Sequence, residues 1–208
     1  MAGTVIILNG TSSAGKTTLA RALQEALAEP YLCLGIDTFI SMLPERYFSD
    51  ELSSDSTITT FVAHTDSAGP WAELTLGTVE RRVFRAMYSA VAALANRDIN
   101  VIFDDVMTEP AFLQEAVIAL HGLRVLFVGV RCPLAVVEQR ERERDDRFVG
   151  IARGLFDRVH AHGTYDLEVE TAQRSVEQCV ESVLHALRCA PQQSVFQRLF
   201  DGLSLDES

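Results

Sequence analysis

Gly10-Thr11-Ser12-Ser13-Ala14-Gly15-Lys16-Thr17 decides how this chain is read. The octapeptide fills every fixed position of the phosphate-binding loop: glycine, four residues, glycine, lysine, then serine or threonine. Lys16 is also the single lysine in 208 residues, and generic positive charge is left to arginine. A compact ammonium on a flexible stem reaches the β- and γ-phosphates of a nucleotide as a point charge, which a planar guanidinium does less well. On the N-terminal side, Thr4 to Asn9 is an apolar run with β-branched residues and reads as a buried parallel strand. On the other side, Leu19, Ala20, Leu23 and Leu27 recur with a helical period between Thr17 and Ala28. Strand, glycine loop, helix is the context the motif requires. Backbone N–H groups of residues 13 to 18 would then form a concavity at the positive helix end and cradle phosphate oxygens. The candidate nucleotide contacts are Gly10, Ser12, Ser13, Ala14, Gly15, Lys16, Thr17 and Thr18, with the Thr17 hydroxyl placed to ligate Mg²⁺.

Further apolar runs predict strands at 31–36, ending at Asp37; at 99–103, ending at Asp104-Asp105; at 124–130, ending at Arg131; and a weaker one at 166–169. Helical patterns lie between them at 71–97, 108–121, 133–145 and 172–188. The alternation predicts an α/β fold, a five-stranded parallel sheet flanked by helices. Such sheets bind ligands beyond the carboxyl ends of their strands, so Asp37, Asp104, Asp105 and Arg131 are expected at one rim with the loop. The strand ending at Asp37 is expected beside the loop strand. Phosphoryl transfer needs phosphates and metal held in line, a group that receives the acceptor's proton, and positive charge over the transferring phosphoryl. Asp37 fits the proton acceptor, although it also fits an N-cap for a helix starting at Thr38. Asp104 is the choice for the metal beside Thr17, Asp105 for a group facing the acceptor, and Arg131 for a nucleotide contact. The alternating run Glu138 to Arg147 reads either as a solvated helix with i,i+4 pairs or as a lid. Arg140, Arg144 and Arg147 would share its phosphate-facing side.

Composition limits the function classes. A formal charge of −11 argues against a sequence-independent nucleic-acid surface. The longest apolar stretches are too short to span a bilayer. Four cysteines show no metal spacing and fit a reduced cytoplasm. A guanine-reading Asn-Lys-x-Asp segment is excluded, because the one lysine is already used. The expected organisation is a single domain over 1–190, with an acceptor-site insertion at about 38–70, a lid at 133–158 and a tail at 191–208. The insertion is long and polar, which suggests a small hairpin near the site. His64 within it, and the aromatics Phe39, Tyr47, Phe48, Phe61 and Trp71, are candidate acceptor contacts. The tail carries Val195, Phe196, Leu199, Phe200 and Leu203 at helical spacing, for packing on the domain or on a partner, and a homo-oligomer stays open.

Ile7-Leu8-Asn9-Gly10 with Ser12 to Thr17, Gly35-Ile36-Asp37-Thr38, Met42-Leu43-Pro44, Phe103 to Val106, Val128 to Cys132, Arg140-Glu141, Asp146-Arg147, Tyr165-Asp166 and Val169-Glu170-Thr171 resemble chloramphenicol phosphotransferase. The similarity runs in order from about residue 4 to 188. It implies an ATP-dependent P-loop kinase that phosphorylates the primary hydroxyl of chloramphenicol. Asp37 would deprotonate that hydroxyl, and the lid arginines would contact ATP. The polar insertion and the tail depart from the family pattern. A kinase for a nucleotide or another metabolite, and an ATP-sensing switch, are the alternative readings.

Overall fold

Strand β1 (Thr4–Asn9) has five of its six residues buried, so both of its faces need cover and both of its edges need partners. A computed structural model of the chain describes residues 2–144, 148–189 and 193–206; Arg147 lies outside them. The edges of β1 are taken by β6 (Asn100–Asp105) and β7 (Arg124–Arg131), both parallel to it. Strands β2 (Tyr31–Gly35) and β8 (Leu167–Glu170) complete a five-stranded parallel sheet in the order β2-β6-β1-β7-β8. The fold class therefore follows the alternation of the sequence. The neighbour of β1 does not: β2 pairs with β6, not with the loop strand. The long connection from β2 to β6 is what allows the chain to return inside β2, and no local pattern encodes that choice.

Helices cover both faces. α1 (Lys16–Ala26) and α7 (Val176–Arg188) enclose a cluster with Ile6, Leu8, Leu23, Val128 and Val183. α3 (Thr78–Ala95) and α4 (Pro110–Ala119) enclose the other, around Ile7, Tyr88, Phe103 and Phe127. The last helix, α8 (Val195–Asp206), seats Val195 and Phe196 in that second cluster, with the Phe196 ring 5.2 Å from Phe127. The tail thus packs on the domain. Val195 N–H donates to Asp166 Oδ1 at 2.7 Å and ties its start to the turn before β8.

Two boundaries differ from the sequence reading. β3 (Phe48–Ser49), β4 (Thr59–Asp66) and β5 (Gly69–Thr75) form a second sheet, and β4-β5 is the expected hairpin. It consumes residues 71–75, which the helical reading had assigned to α3. Trp71 and Leu74 stand three apart, a helical step, whereas Leu74 and Leu76 stand two apart, a strand step, and the antiparallel register Phe61↔Leu74 resolves it. The hairpin is held by α6 (Ile151–Leu155), whose Arg153 donates to both Asp66 carboxylate oxygens and to the Gly69 carbonyl. Helix α5 (Leu134–Arg142) stops three residues early. Glu141, only 1% exposed, does not join the surface ion-pair ladder: its carboxylate accepts from Gly150 N at 2.7 Å and Ala152 N at 2.8 Å. No described helix is long and apolar enough to cross a membrane.

Candidate active site

The octapeptide forms the turn between β1 and α1. Gly15, the residue before the helix, has φ +92°, a left-handed conformation that side chains rarely adopt, and Ser13 has φ +60°. Lys16 is 6% exposed; its Nζ donates to the Thr11 carbonyl at 3.0 Å and stands 3.5 Å from Asp104 Oδ1. Thr17 Oγ1 donates to Asp104 Oδ2 at 2.7 Å. The register that sets Leu8 beside Asp104 brings these groups together. Loop and β6 carboxylate therefore meet as the sequence predicted. Gly10 N–H donates to the Asp105 carbonyl, and the Thr11 hydroxyl donates to the Ala152 carbonyl, so the loop is anchored from two sides.

The arrangement fits a nucleotide tail. Ser13 Oγ is buried without a hydrogen-bond partner among the described residues, a state that normally requires a missing ligand or water. The first-turn N–H groups of α1 have no intrahelical acceptor by construction. The Lys16 ammonium carries three N–H donors, and the Thr11 carbonyl and Asp104 engage at most two of them, which leaves one for a phosphate oxygen. Thr17 and Asp104 supply hard oxygen donors of the kind that Mg²⁺ takes together with phosphates and water. No group of three or more His, Cys, Asp or Glu is placed to hold a metal by itself among the described residues.

A cavity of about 870 Å³ opens from this loop. Ser12, Ser13, Gly15, Lys16, Thr17, Thr18, Asp104, Arg140, Arg144 and Arg174 line one part of it. Leu34, Ile36, Asp37, Ile40, Phe61, Leu74, Glu80, Phe84 and Phe148 line the rest. Arg140 reaches across from α5. Its Nη2 donates to the Thr171 carbonyl at 3.0 Å, and a Cβ on Gly15 would lie 3.6 Å from its Nη1, so the guanidinium sits over the loop. Asp37 stands in the first turn of α2 (Ile36–Ile40), where Gly35 is the N-cap and no side chain caps. Its carboxylate is therefore not the cap that the sequence allowed, and the residue lines the cavity.

Several expected contacts are placed elsewhere. Arg131 does not line the cavity: it pairs with Glu168 at 2.6 Å and lies over the Tyr165 ring, because it leaves β7 toward β8. Ala14 is fully buried, and it offers the site only backbone. Asp105 faces the α3 side: Tyr88 Oη and Val106 N donate to it at 2.9 and 2.7 Å, and burial pushes its carboxyl up to about 7 against those two bonds. Strand alternation sends neighbouring residues to opposite faces, so Asp104 and Asp105 cannot both face the loop. His64 stacks on Trp71 at 4.3 Å beside Glu73, Phe39 packs on Phe103, and Tyr47 carries Arg46. Of the proposed aromatics Phe61 reaches the cavity, joined by Phe84 and Phe148, which sequence did not single out.

Sequence reasoning also missed Asn9. Its Nδ2 donates to the Val159 carbonyl and to Tyr165 Oη, both at 2.8 Å, while its Oδ1 accepts from Met107 N at 2.9 Å. With the phenol oxygen accepting from Asn9, the Tyr165 proton is directed to His160 Nδ1, 2.6 Å away. Burial first, then the nearby Arg131 charge, hold the His160 imidazole down at about 4. The polar amide that ends an apolar run was the available signal.

Parallel sheet, phosphate loop, a Thr–Asp pair and a cationic flank define a P-loop kinase. Solved kinases share the fold. The Mycobacterium tuberculosis APS kinase CysC, in complex with AMPPNP and APS, superposes with a TM-score of 0.63 at 16% identity, covering 90% of this chain and 98% of that one. A gluconokinase from Sinorhizobium meliloti 1021 gives 0.57 at 16% identity over 100% and 98%. Shikimate kinase from Acinetobacter baumannii, in complex with shikimate, gives 0.55 at 17% identity over 93% and 97%. Residues 3–188 match the family described as chloramphenicol phosphotransferase-like protein, and the chain belongs to that family. A Mycobacterium tuberculosis H37Rv protein that bears the provisional name O-phosphotransferase is 32% identical over 197 residues, 95% of this chain and 88% of the relative.

Proposed function

We propose that the chain is an ATP-dependent O-phosphotransferase that moves the γ-phosphoryl of ATP onto a hydroxyl of a small, uncharged acceptor, a phenicol antibiotic such as chloramphenicol being the first candidate. The observation that carries this is the distribution of charge in the cavity. Lys16, Arg140, Arg144 and Arg174 belong to the loop and to segments after β7, and the wall of Leu34, Ile36, Ile40, Phe61, Leu74 and Phe84 adds no basic side chain among the described residues. A phosphate-bearing acceptor would lie there with its charge unpaired, whereas a neutral aryl compound finds apolar surface and a few polar groups. Family membership makes phenicols the first probe.

Lys16 and the first-turn amides bind and orient the β- and γ-phosphates. Thr17 and Asp104 would hold Mg²⁺, which supplies charge neutralisation at the phosphate oxygens. The acceptor oxygen bonds to the γ-phosphorus, the bond from that phosphorus to the ADP oxygen breaks, and the hydroxyl proton passes to the Asp37 carboxylate. Arg140 and Arg144, with Arg147, neutralise charge on the transferring phosphoryl from residues 133–158, which act as the lid. Residues 38–70 with β5 form the acceptor wall. The four free thiols suit a reducing cytoplasm.

Incubation with ATP, Mg²⁺ and chloramphenicol, followed by mass spectrometry, tests the reading. A phosphate ester formed in step with ADP is the expected result. ADP release that ignores every acceptor, with no ester, would overturn it in favour of a nucleotide switch.

A further inference from the structure

The apolar wall of the cavity contains one buried carboxylate to which the transfer mechanism gives no task. Glu80 is 2% exposed, lies in the first turn of α3 and lines the cavity. Its surroundings fix the polarity it presents. Gly77 N–H donates to Thr59 Oγ1 at 2.8 Å. That oxygen's single proton is therefore directed to Glu80 Oε2, its other short contact. Thr59 is itself fully buried, so this orientation is held by packing. Oε2 is committed as an acceptor, and the carboxyl's remaining capacity resides on Oε1.

A structural role explains this poorly. An acid at the third position of a helix commonly reaches back to the N-cap amide. Here that amide is already satisfied by Thr59, and an apolar residue would fill the site without the cost of burying a carboxylate. Burial, the larger influence, raises the Glu80 carboxyl above its usual range, while the Thr59 bond and the neighbouring Arg81 charge pull the other way. Asp37 and Glu80 stand on α2 and α3, two helices in contact on the acceptor side.

We infer that Glu80 is a specificity-determining residue, and that it pairs through Oε1 with a second N–H or O–H group of the acceptor while Asp37 receives the hydroxyl to be phosphorylated. The preferred substrate class is then narrower than neutral alcohols: a compact apolar molecule with a reactive hydroxyl and a separate hydrogen-bond donor. This inference rests on the proposed kinase reading and adds the acceptor's second recognition point. Sites that hydrogen-bond a substrate group discriminate strongly against analogues that lack it, because the protein group is left buried and unpaired.

The test uses matched pairs of phenicol-like primary alcohols, each with a free second donor in one member and that donor methylated in the other. Phosphorylation is followed by mass spectrometry with wild type and with Glu80→Gln. Wild type is expected to favour the free-donor member by about tenfold or more in kcat/KM. Glu80→Gln should lose most of that preference through a raised acceptor KM, with the KM for ATP and the thermal midpoint held. Equal use of both members by wild type, or an unchanged preference in the variant, overturns the inference. A variant that does not fold leaves the wild-type comparison to decide alone. No phosphorylation of any compound by wild type overturns the parent reading, and this inference with it; transfer without donor preference overturns only the latter.

Discussion

Lys16 is the residue on which the proposed phosphoryl transfer depends most. Its ammonium is buried between the Thr11 carbonyl and Asp104, where the effective dielectric is low and a charge acts strongly on a phosphate. Lys16→Ala should lower kcat/KM by about a thousandfold or more while leaving the circular dichroism spectrum and thermal midpoint near wild type. Near-normal turnover would contradict the loop assignment. Asp37→Asn keeps the shape and removes the carboxylate proposed as proton acceptor. It should reduce kcat by about a hundredfold or more with ATP affinity held, as measured by calorimetry and steady-state rates. Equal loss of ATP binding would show instead that Asp37 supports the nucleotide. At this scale the loop was legible because its spacing is a property of the local chain. Glu80 and Asn9 were not, because an acid in a helical pattern and an amide after a strand look like surface residues until their neighbours from residues 59 and 159 are in place.

The element that joins the two halves of the cavity is the hairpin β4-β5 with α6 against it. Ala72 N–H donates to the Gly150 carbonyl at 2.9 Å, and a Cβ on Gly154 would stand 1.9 Å from the Ala72 carbonyl oxygen. Backbone cannot yield as a side-chain tip can, so Gly154→Ala should cost about 2 kcal/mol or more in chemical denaturation, by forcing α6 off the strand. The KM for acceptor should rise with it, since Phe61 and Leu74 on the hairpin and Ile151 on α6 line one cavity. A variant as stable as wild type would show that this contact is not the hinge of the arrangement. Sequence suggested a hairpin but misplaced its second strand, because the step from Trp71 to Leu74 is helical and only the step from Leu74 to Leu76 is a strand's. Helix α5 was overextended for a related reason: its charge pattern fits an i,i+4 ladder, whereas Glu141 turns inward to Gly150 and Ala152.

Across the whole molecule, the helix–strand alternation gave the class of fold, but the placement of β6 between β1 and β2 depends on long-range pairing that no local window carries. The same long-range assembly half-buries His160 against Tyr165 and near the Arg131 charge. Its folded pKa of about 4 lies below the unfolded value, so the unfolded chain binds the extra proton between the two. Stability from this group is full above about pH 6.5 and is lost as pH falls toward 4. After discounting for solvent screening of a half-buried ring, His160→Gln should remove about 1 kcal/mol of the wild-type stability difference between pH 7 and pH 5 in urea titrations. Identical pH slopes in the two proteins would contradict the burial argument. In the proposed reaction the turn from Gly10 to Thr17 grips a triphosphate in line with Asp37. A crystal structure with Mg²⁺ and a non-hydrolysable ATP analogue tests it most directly. The β- and γ-phosphates are expected against the amides of Ser13 to Thr17 and Lys16 Nζ, with the γ-phosphate facing the Asp37 side of the cavity. A nucleotide bound elsewhere, with this turn vacant, would contradict it.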